Sequence, residues 1–298
     1  MAGMHATTSE RFAARPATTA LTKTGGFLTG FTHTLQPYIG CAFGCAYCYV
    51  QGMSVHRFHQ PATAWGEYVH PRTGIGERLR RELARLHGAG ELEKLAVFMS
   101  SATDPYQAAE RRYRLARACL EAFVEYPPGL LVLQTRSPFV LDDLQLLCAL
   151  GERCLLSFTI ETDLDEVRRC LTPRCPAVER RWETVAAMRA AGLRVQIAVS
   201  PCLPYSDPPR FGAQLLDHAD RVVIDTYVSG DGQGGRRTAA TTTGAVYAAQ
   251  GWGEWRAEEA ALHLYDWLLA RSADVGWSQT GFTAPALTVR GREGNQTA

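Results

Sequence analysis

From about residue 34 onward, short apolar runs alternate with longer segments of helical period. HTLQPYI (33–39) reads as a strand. ERLRRELARL (77–86) places leucines at i, i+4 and i+7 with charges between them, the pattern of an amphipathic helix. The runs LAVFMS (95–100), LLVLQT (130–135), CLLSFTIE (154–161), RVQIAVS (194–200) and RVVIDTYV (221–228) carry the β-branched, apolar character of buried strands. Between them, AERRYRLARACLEAFVEY (109–126), FVLDDLQLLCAL (139–150), VERRWETVAAMRAAG (178–192) and RFGAQLLDHA (210–219) have helical spacing. The first of these stops at Pro127-Pro128, and VERRWETVAAMRAAG is closed by Gly192. Such a repeated strand-then-helix order predicts an α/β fold with a parallel sheet. Six βα units are too few for a closed eight-fold barrel, so the expected architecture is an open, partial barrel. Its active site would then lie at the C-terminal ends of the strands.

Three regions follow from this pattern. Residues 1–33 form an expected flexible N-terminal arm, and residues 34–229 the barrel. Residues 230–298 form a C-terminal extension: the Gly/Thr-rich stretch GDGQGGRRTAATTTGA as a mobile loop or linker, the helical EWRAEEAALHLYDWLLARSA, and a polar tail expected to fray. Composition adds little to the architecture and removes some functions. With 46% hydrophobic residues among 298, the chain can bury a large core, and a formal net charge of +1 gives no global field for nucleic acid. No apolar run approaches the roughly 18 residues of a membrane span. The first residues lack the apolar stretch of a secretory signal. Nine dispersed cysteines do not look like a disulfide framework and fit a reducing cytoplasm.

The densest chemistry lies in GCAFGCAYCYV (40–50), where Cys41, Cys45 and Cys48 fall within eight residues. Three readings are open for them. A zinc site would draw its fourth ligand from His56, His59 or a distant cysteine. Buried structural thiols are the second. The third is a 4Fe–4S cluster held by three thiolates, with one iron left without a protein ligand and Gly40 and Gly44 letting the backbone pass close. Cys148, Cys154, Cys170 and Cys175 match no cluster spacing and read as structural cysteines.

CAFGCAYC resembles the C-x3-C-x-aromatic-C signature of the radical S-adenosylmethionine (SAM) superfamily, with Tyr47 as the aromatic, placed after the first strand of a βα repeat. The resemblance implies a partial TIM barrel, a 4Fe–4S cluster on Cys41, Cys45 and Cys48, and SAM bound at the open iron. It further implies reductive cleavage of SAM to a 5′-deoxyadenosyl radical that abstracts hydrogen from a substrate, with an external one-electron donor of flavodoxin or ferredoxin type. Over residues 34–228, the stretches TLQPYIGCAFGCAYCYV, SSATDPYQ, LQTRSPFVLDDLQLL, SFTIET and PRCPAVERRWETVAAMRAAGLRVQIAVSPCLP are similar to the spore photoproduct lyase-like branch. That branch implies a DNA base as substrate, in repair or modification by a lyase.

Further expectations follow from the resemblance. Ser101, Thr103 and Asp104 follow the second strand, where the superfamily presents backbone to the SAM amino group; a plain turn is the alternative. Arg136 replaces a lysine of the branch and keeps a cation for the SAM carboxylate. Ser157, Thr159 and Glu161 share one face of their strand and suit the ribose or methionine end of SAM, a solvated strand end being the alternative. Ser200, at the end of the fifth strand, joins the cofactor set. Ser101 stands where the spore lyase has its hydrogen-donating cysteine, and a serine O–H is too strong a bond for that role. Cys202, after the fifth strand, is the candidate hydrogen donor in its place. Other readings are a peptide or small metabolite as substrate, and a non-catalytic iron–sulfur or zinc protein.

Overall fold

The computed structural model describes residues 12–54, 56, 63–272 and 274–284. Its strands are β1 (Leu21–Lys23), β2 (His33–Leu35), β3 (Tyr38–Ile39), β4 (His70–Pro71), β5 (Ala96–Met99), β6 (Leu130–Thr135), β7 (Cys154–Thr159), β8 (Arg194–Val199), β9 (Arg221–Ile224) and β10 (Val275–Trp277). The principal helices are α1 (Ile75–Gly88), α2 (Leu115–Glu125), α3 (Leu144–Leu150), α4 (Asp165–Leu171), α5 (Val178–Ala190), α6 (Pro208–His218), α7 (Thr243–Gln250) and α8 (Glu259–Leu269). One eight-stranded sheet runs β1-β2-β5-β6-β7-β8-β9-β10. Only β1 is antiparallel to its neighbour; every pairing from β2 to β10 is parallel. β3 and β4 form a separate antiparallel pair.

The alternation within each strand divides the apolar residues between two layers. Leu131, Leu133, Leu156, Phe158, Val195 and Ile197 belong to the layer shared with Leu79, Leu83, Phe123, Val185, Met188 and Leu215 of the helices. Their neighbours Leu130, Val132, Leu155, Ala198 and Val223 point the other way and fill the concave side with Phe31, Phe98 and Phe282. Each fully buried Leu or Phe contributes about 1.5–3 kcal/mol, so both layers stabilise the sheet. Polar side chains line the same concave face. Gln196 donates to Ser157 Oγ at 3.0 Å, and Arg221 donates to the Gln196 carbonyl.

No strand pairing joins β1 to β10 among the described residues, and the architecture is an open, partial α/β barrel. Loop contacts span the gap instead. Ala284 N–H donates to Thr29 O at 3.2 Å, and the Phe27 and Phe282 rings lie 6.2 Å apart. No helix of the described residues is long and apolar enough to cross a membrane.

Five sequence expectations are revised here. The helix expected over 109–126 breaks at Arg114, which takes φ 53° between a turn at Glu110–Tyr113 and α2. The buried Glu110 carboxylate causes the break: it accepts the N–H groups of Ala116 and Arg117 at 3.0 and 3.1 Å, capping α2 from outside, and takes the Tyr38 hydroxyl as well. The strand expected to reach Val228 ends at Ile224, and Tyr227–Gly230 turns helical with Thr226 as its cap. Within the expected arm, β1 adds to the sheet edge, and Glu82 accepts the Leu21 N–H at 2.8 Å. Within the expected linker, the Asp231 carboxylate accepts the N–H groups of Gln233, Gly235, Arg237 and Thr238, so a Gly-rich stretch takes a defined path into α7. The tail supplies β10, and residues 285–298 lie outside the described residues.

Candidate functional site

The cysteine loop leaves β3 through Gly40, whose φ of +83° is a left-handed conformation, and a Cβ there would lie 2.4 Å from Tyr68 O. Thr103 Oγ1 and Gln107 Nε2 both donate to Gly40 O, and Gln107 Oε1 accepts the Ala42 N–H at 2.7 Å. The far side of the loop is tied down by the Ala46 N–H, which donates to Leu171 O at 2.9 Å. Gly44, at φ +57°, passes against Gly66, 3.0 Å from where its Cβ would stand. Gly40→Ala is expected to destabilise the fold by about 1–3 kcal/mol through backbone strain alone. It should also lower the iron that a reconstituted chain retains, and urea unfolding together with iron analysis measures both. Wild-type values for the two would show that this turn does not position the loop.

Cys41 and Cys45 are buried and Cys48 is partly so. Burial pushes the thiols of Cys41 and Cys48 up to about 12, so neither ionises at neutral pH unless a cationic centre takes the thiolate. Among the described residues, no three His, Cys, Asp or Glu side chains converge as a single metal ion requires. His56 is turned to the Tyr68 hydroxyl at 2.9 Å, and His59 lies outside the described residues. A cluster makes a different demand, because each of its irons takes its own thiolate. Three soft donors, two buried and one partly so, on a loop opened by glycines fit that group.

Behind the loop lies a buried ionic network. Glu161, 1% exposed, is paired with Arg136 through one oxygen and with Arg181 through the other. The Tyr47 hydroxyl donates to the same carboxylate and accepts from Arg136 Nη1 at 2.9 Å. Burial alone would raise the Glu161 pKa. The Arg136 and Arg181 guanidiniums and the Tyr47 hydroxyl hold it down at about 2. Arg136 Nη1 also reaches Cys45 Sγ at 3.4 Å, and Cys175 Sγ lies 3.9 Å from the same sulfur.

In front of the loop, a cleft at the C-terminal ends of the strands is lined by Cys41, Cys45, Cys48, Tyr47, Ser101, Thr103, Asp104, Arg136, Thr159 and Ser200. The structure therefore gathers most of the expected set at one place. Three members fall elsewhere. Ser157 lies two residues deeper along β7 than Thr159, about 6–7 Å, where Gln196 and Gln134 engage it. Glu161 stands behind the loop. Cys202 lines an adjoining aromatic pocket with Tyr227, Tyr247, Trp252 and Trp255, which shares Tyr227 with the cleft, and is not itself part of the cleft wall. Asp104 lines the cleft but braces it too. Its carboxylate accepts from Tyr106 N, Thr135 Oγ1 and Arg136 N at 2.8–2.9 Å, while burial raises its pKa.

Sequence reasoning missed Ser100 and Asp225, both in the cleft wall. Ser100 takes φ 77°, and its buried hydroxyl has no partner. Such strain in a non-glycine residue is found at functional positions. Asp225 is 4% exposed and held by Ser200 Oγ and the Thr226 N–H, and burial pushes it up to about 6. Its signal was available in the sequence as an acid closing the apolar run RVVI. Ser100 gave none, since its neighbours Ser101 and Ala102 are as small as those of any turn.

Residues 35–207 match the family model described as the Radical SAM superfamily. An uncharacterized protein of Mycobacterium bovis is 29% identical over 176 residues, covering 58% of this chain and 50% of that protein. An uncharacterized protein of the Acidianus two-tailed virus is 30% identical over 174 residues, covering 56% and 54%. The chain thus spans about half the length of the curated relatives it matches. Among solved structures, a mutant spore photoproduct lyase with bound AdoMet and dinucleoside spore photoproduct superposes with a TM-score of 0.59. The match is 12% identical and covers 89% of this chain and 80% of that one. At that identity the likeness speaks for the fold.

Proposed function

The chain belongs to the radical SAM superfamily, and from that premise we propose that it is an enzyme that abstracts hydrogen from a DNA base, in lyase-like repair or modification. The observation that carries the reading is the loop of Cys41, Cys45 and Cys48, two of them buried, opening onto a cleft at the C-terminal ends of a parallel sheet. When bound, the cluster and SAM together supply a 5′-deoxyadenosyl radical. The three cysteines would hold the cluster's irons. Arg136, Tyr47 and Glu161 fix the loop from behind. Ser100, Ser101, Thr103 and Thr159 offer hydroxyls along the cleft, where the methionine and ribose ends of SAM need partners. Asp225, with no cation among its partners, is suited to accept an N–H from the substrate.

The DNA base as substrate draws its support from the shared fold, since that spore photoproduct lyase holds a dinucleoside lesion. The route back from a substrate radical differs from the lyase, because the described cysteines of the cleft wall are the three loop cysteines themselves. Anaerobic reconstitution with iron and sulfide, reduction, and assay of 5′-deoxyadenosine from SAM test the enzyme reading. Iron-free protein holding zinc, or no SAM cleavage, overturns it. Deuterium carried from thymine-lesion oligonucleotides into 5′-deoxyadenosine is expected for the DNA reading. Cleavage of SAM without such transfer moves the substrate to a peptide or small metabolite, the class that the net charge of +1 also accommodates.

A further inference from the structure

We infer that Cys175 is a positioning residue that sets the reduction potential of the cluster by hydrogen bonding to the sulfur of Cys45. The inference rests on the cluster reading above. Cys175 is 130 residues from Cys45 in the chain, yet their sulfurs stand 3.9 Å apart in a buried contact. It follows the end of α4, and its N–H donates to Thr172 O at 2.9 Å. Its carbonyl accepts from Arg168 Nη1 at 3.0 Å, so its backbone is fixed on both sides. Cys175 is 4% exposed and is not part of the cleft wall, which removes it as a hydrogen donor to substrate.

The direction of the hydrogen bond follows from the chemistry. Once Cys45 gives its thiolate to iron, the Cys175 S–H is the only proton left between the two sulfurs. Arg136 Nη1 approaches the same sulfur at 3.4 Å, so Cys45 is the loop cysteine with two donors converging on it. Arg136 and Arg181 carry two positive charges against the single negative charge of Glu161, which leaves a net positive field behind Cys45. Hydrogen bonds to a cluster's sulfur ligands and nearby positive charge both favour the reduced, more negative form. Removing the Cys175 donor therefore makes the cluster harder to reduce.

The experiment is a redox titration followed by electron paramagnetic resonance on reconstituted wild-type, C175A, C175V and C175S proteins, with iron and sulfide counted first. At a fixed ambient potential, the reduced-to-oxidised ratio is expected to fall on the order of tenfold in C175A and C175V, about 59 mV for one electron. C175S, which restores an O–H donor, should return toward wild type. Equal midpoints in all four proteins at equal iron content overturn the inference. Iron lost from all three variants, C175S included, makes Cys175 a ligand, and that also overturns it. A wild-type protein that assembles no cluster fails the cluster reading instead, which separates the two.

Discussion

Glu161→Gln is expected to destabilise the fold by about 3–5 kcal/mol, the cost of leaving buried charge without its partner. The carboxylate is 1% exposed and joins Arg136 to Arg181, whose side chain is itself 1% exposed. Glutamine keeps the shape and loses the charge, so the fully buried Arg181 guanidinium and the largely buried Arg136 would be left without their shared anion. The pH dependence follows from the same geometry. Glu161 is held at about 2 against an ordinary 4.5, so its folded pKa lies below the unfolded one. Its stabilising contribution is fully present above about pH 4.5 and is lost as the pH falls toward 2. Urea unfolding of wild type and E161Q across that acid window measures both effects. The difference between the proteins should be largest above pH 4.5 and shrink below it. A difference under about 1 kcal/mol at neutral pH would mean that the network is not the keystone of the loop.

The second large effect is expected at the loop. Replacing Cys41, Cys45 or Cys48 singly with alanine should reduce retained iron and SAM cleavage by more than about 100-fold, beyond the 10–100-fold that outer partners of a metal site cost. Cys148, exposed on α3 and 3.6 Å from Ala191 O, is the control, and its alanine variant should keep its iron. Full SAM cleavage by any of the three loop variants would exclude that cysteine as a ligand. Equal loss in C148A would mean that the assay reports general damage to thiols.

Much of this site could be read from local sequence. The C-x3-C-x2-C spacing, the two glycines of the loop and the strand ahead of them lie within a dozen residues, where the geometry of a turn dictates which side chains face together. The strands of the sheet were legible for the same reason. Alternation in SFTIE put Ser157, Thr159 and Glu161 on one face, and β6 spans the expected Leu130–Thr135. The C-terminal ends of those strands gathered Thr103, Asp104, Arg136, Thr159 and Ser200 where a barrel would put them.

Other features came from partners distant in sequence. Arg181 reads as one more charge on an Arg-rich helix until Glu161, twenty residues earlier, reaches it. Cys175 reads as an ordinary buried thiol until α4 turns it onto Cys45. Glu110 breaks a helix of good local pattern, because a buried carboxylate satisfied by two backbone N–H groups outweighs the small propensity lost at Arg114. The sequence by itself determined the strand-and-helix repeat, the three-cysteine loop and the shared face of Ser157, Thr159 and Glu161, since these depend on spacing along the chain. The tertiary structure alone decided the ionic network behind Cys45, the strained Ser100 at the cleft, the place of Cys202 outside it and the final strand of the sheet. Those depend on which buried groups meet across the fold, and burial makes a charge or a thiol depend on its partners in space.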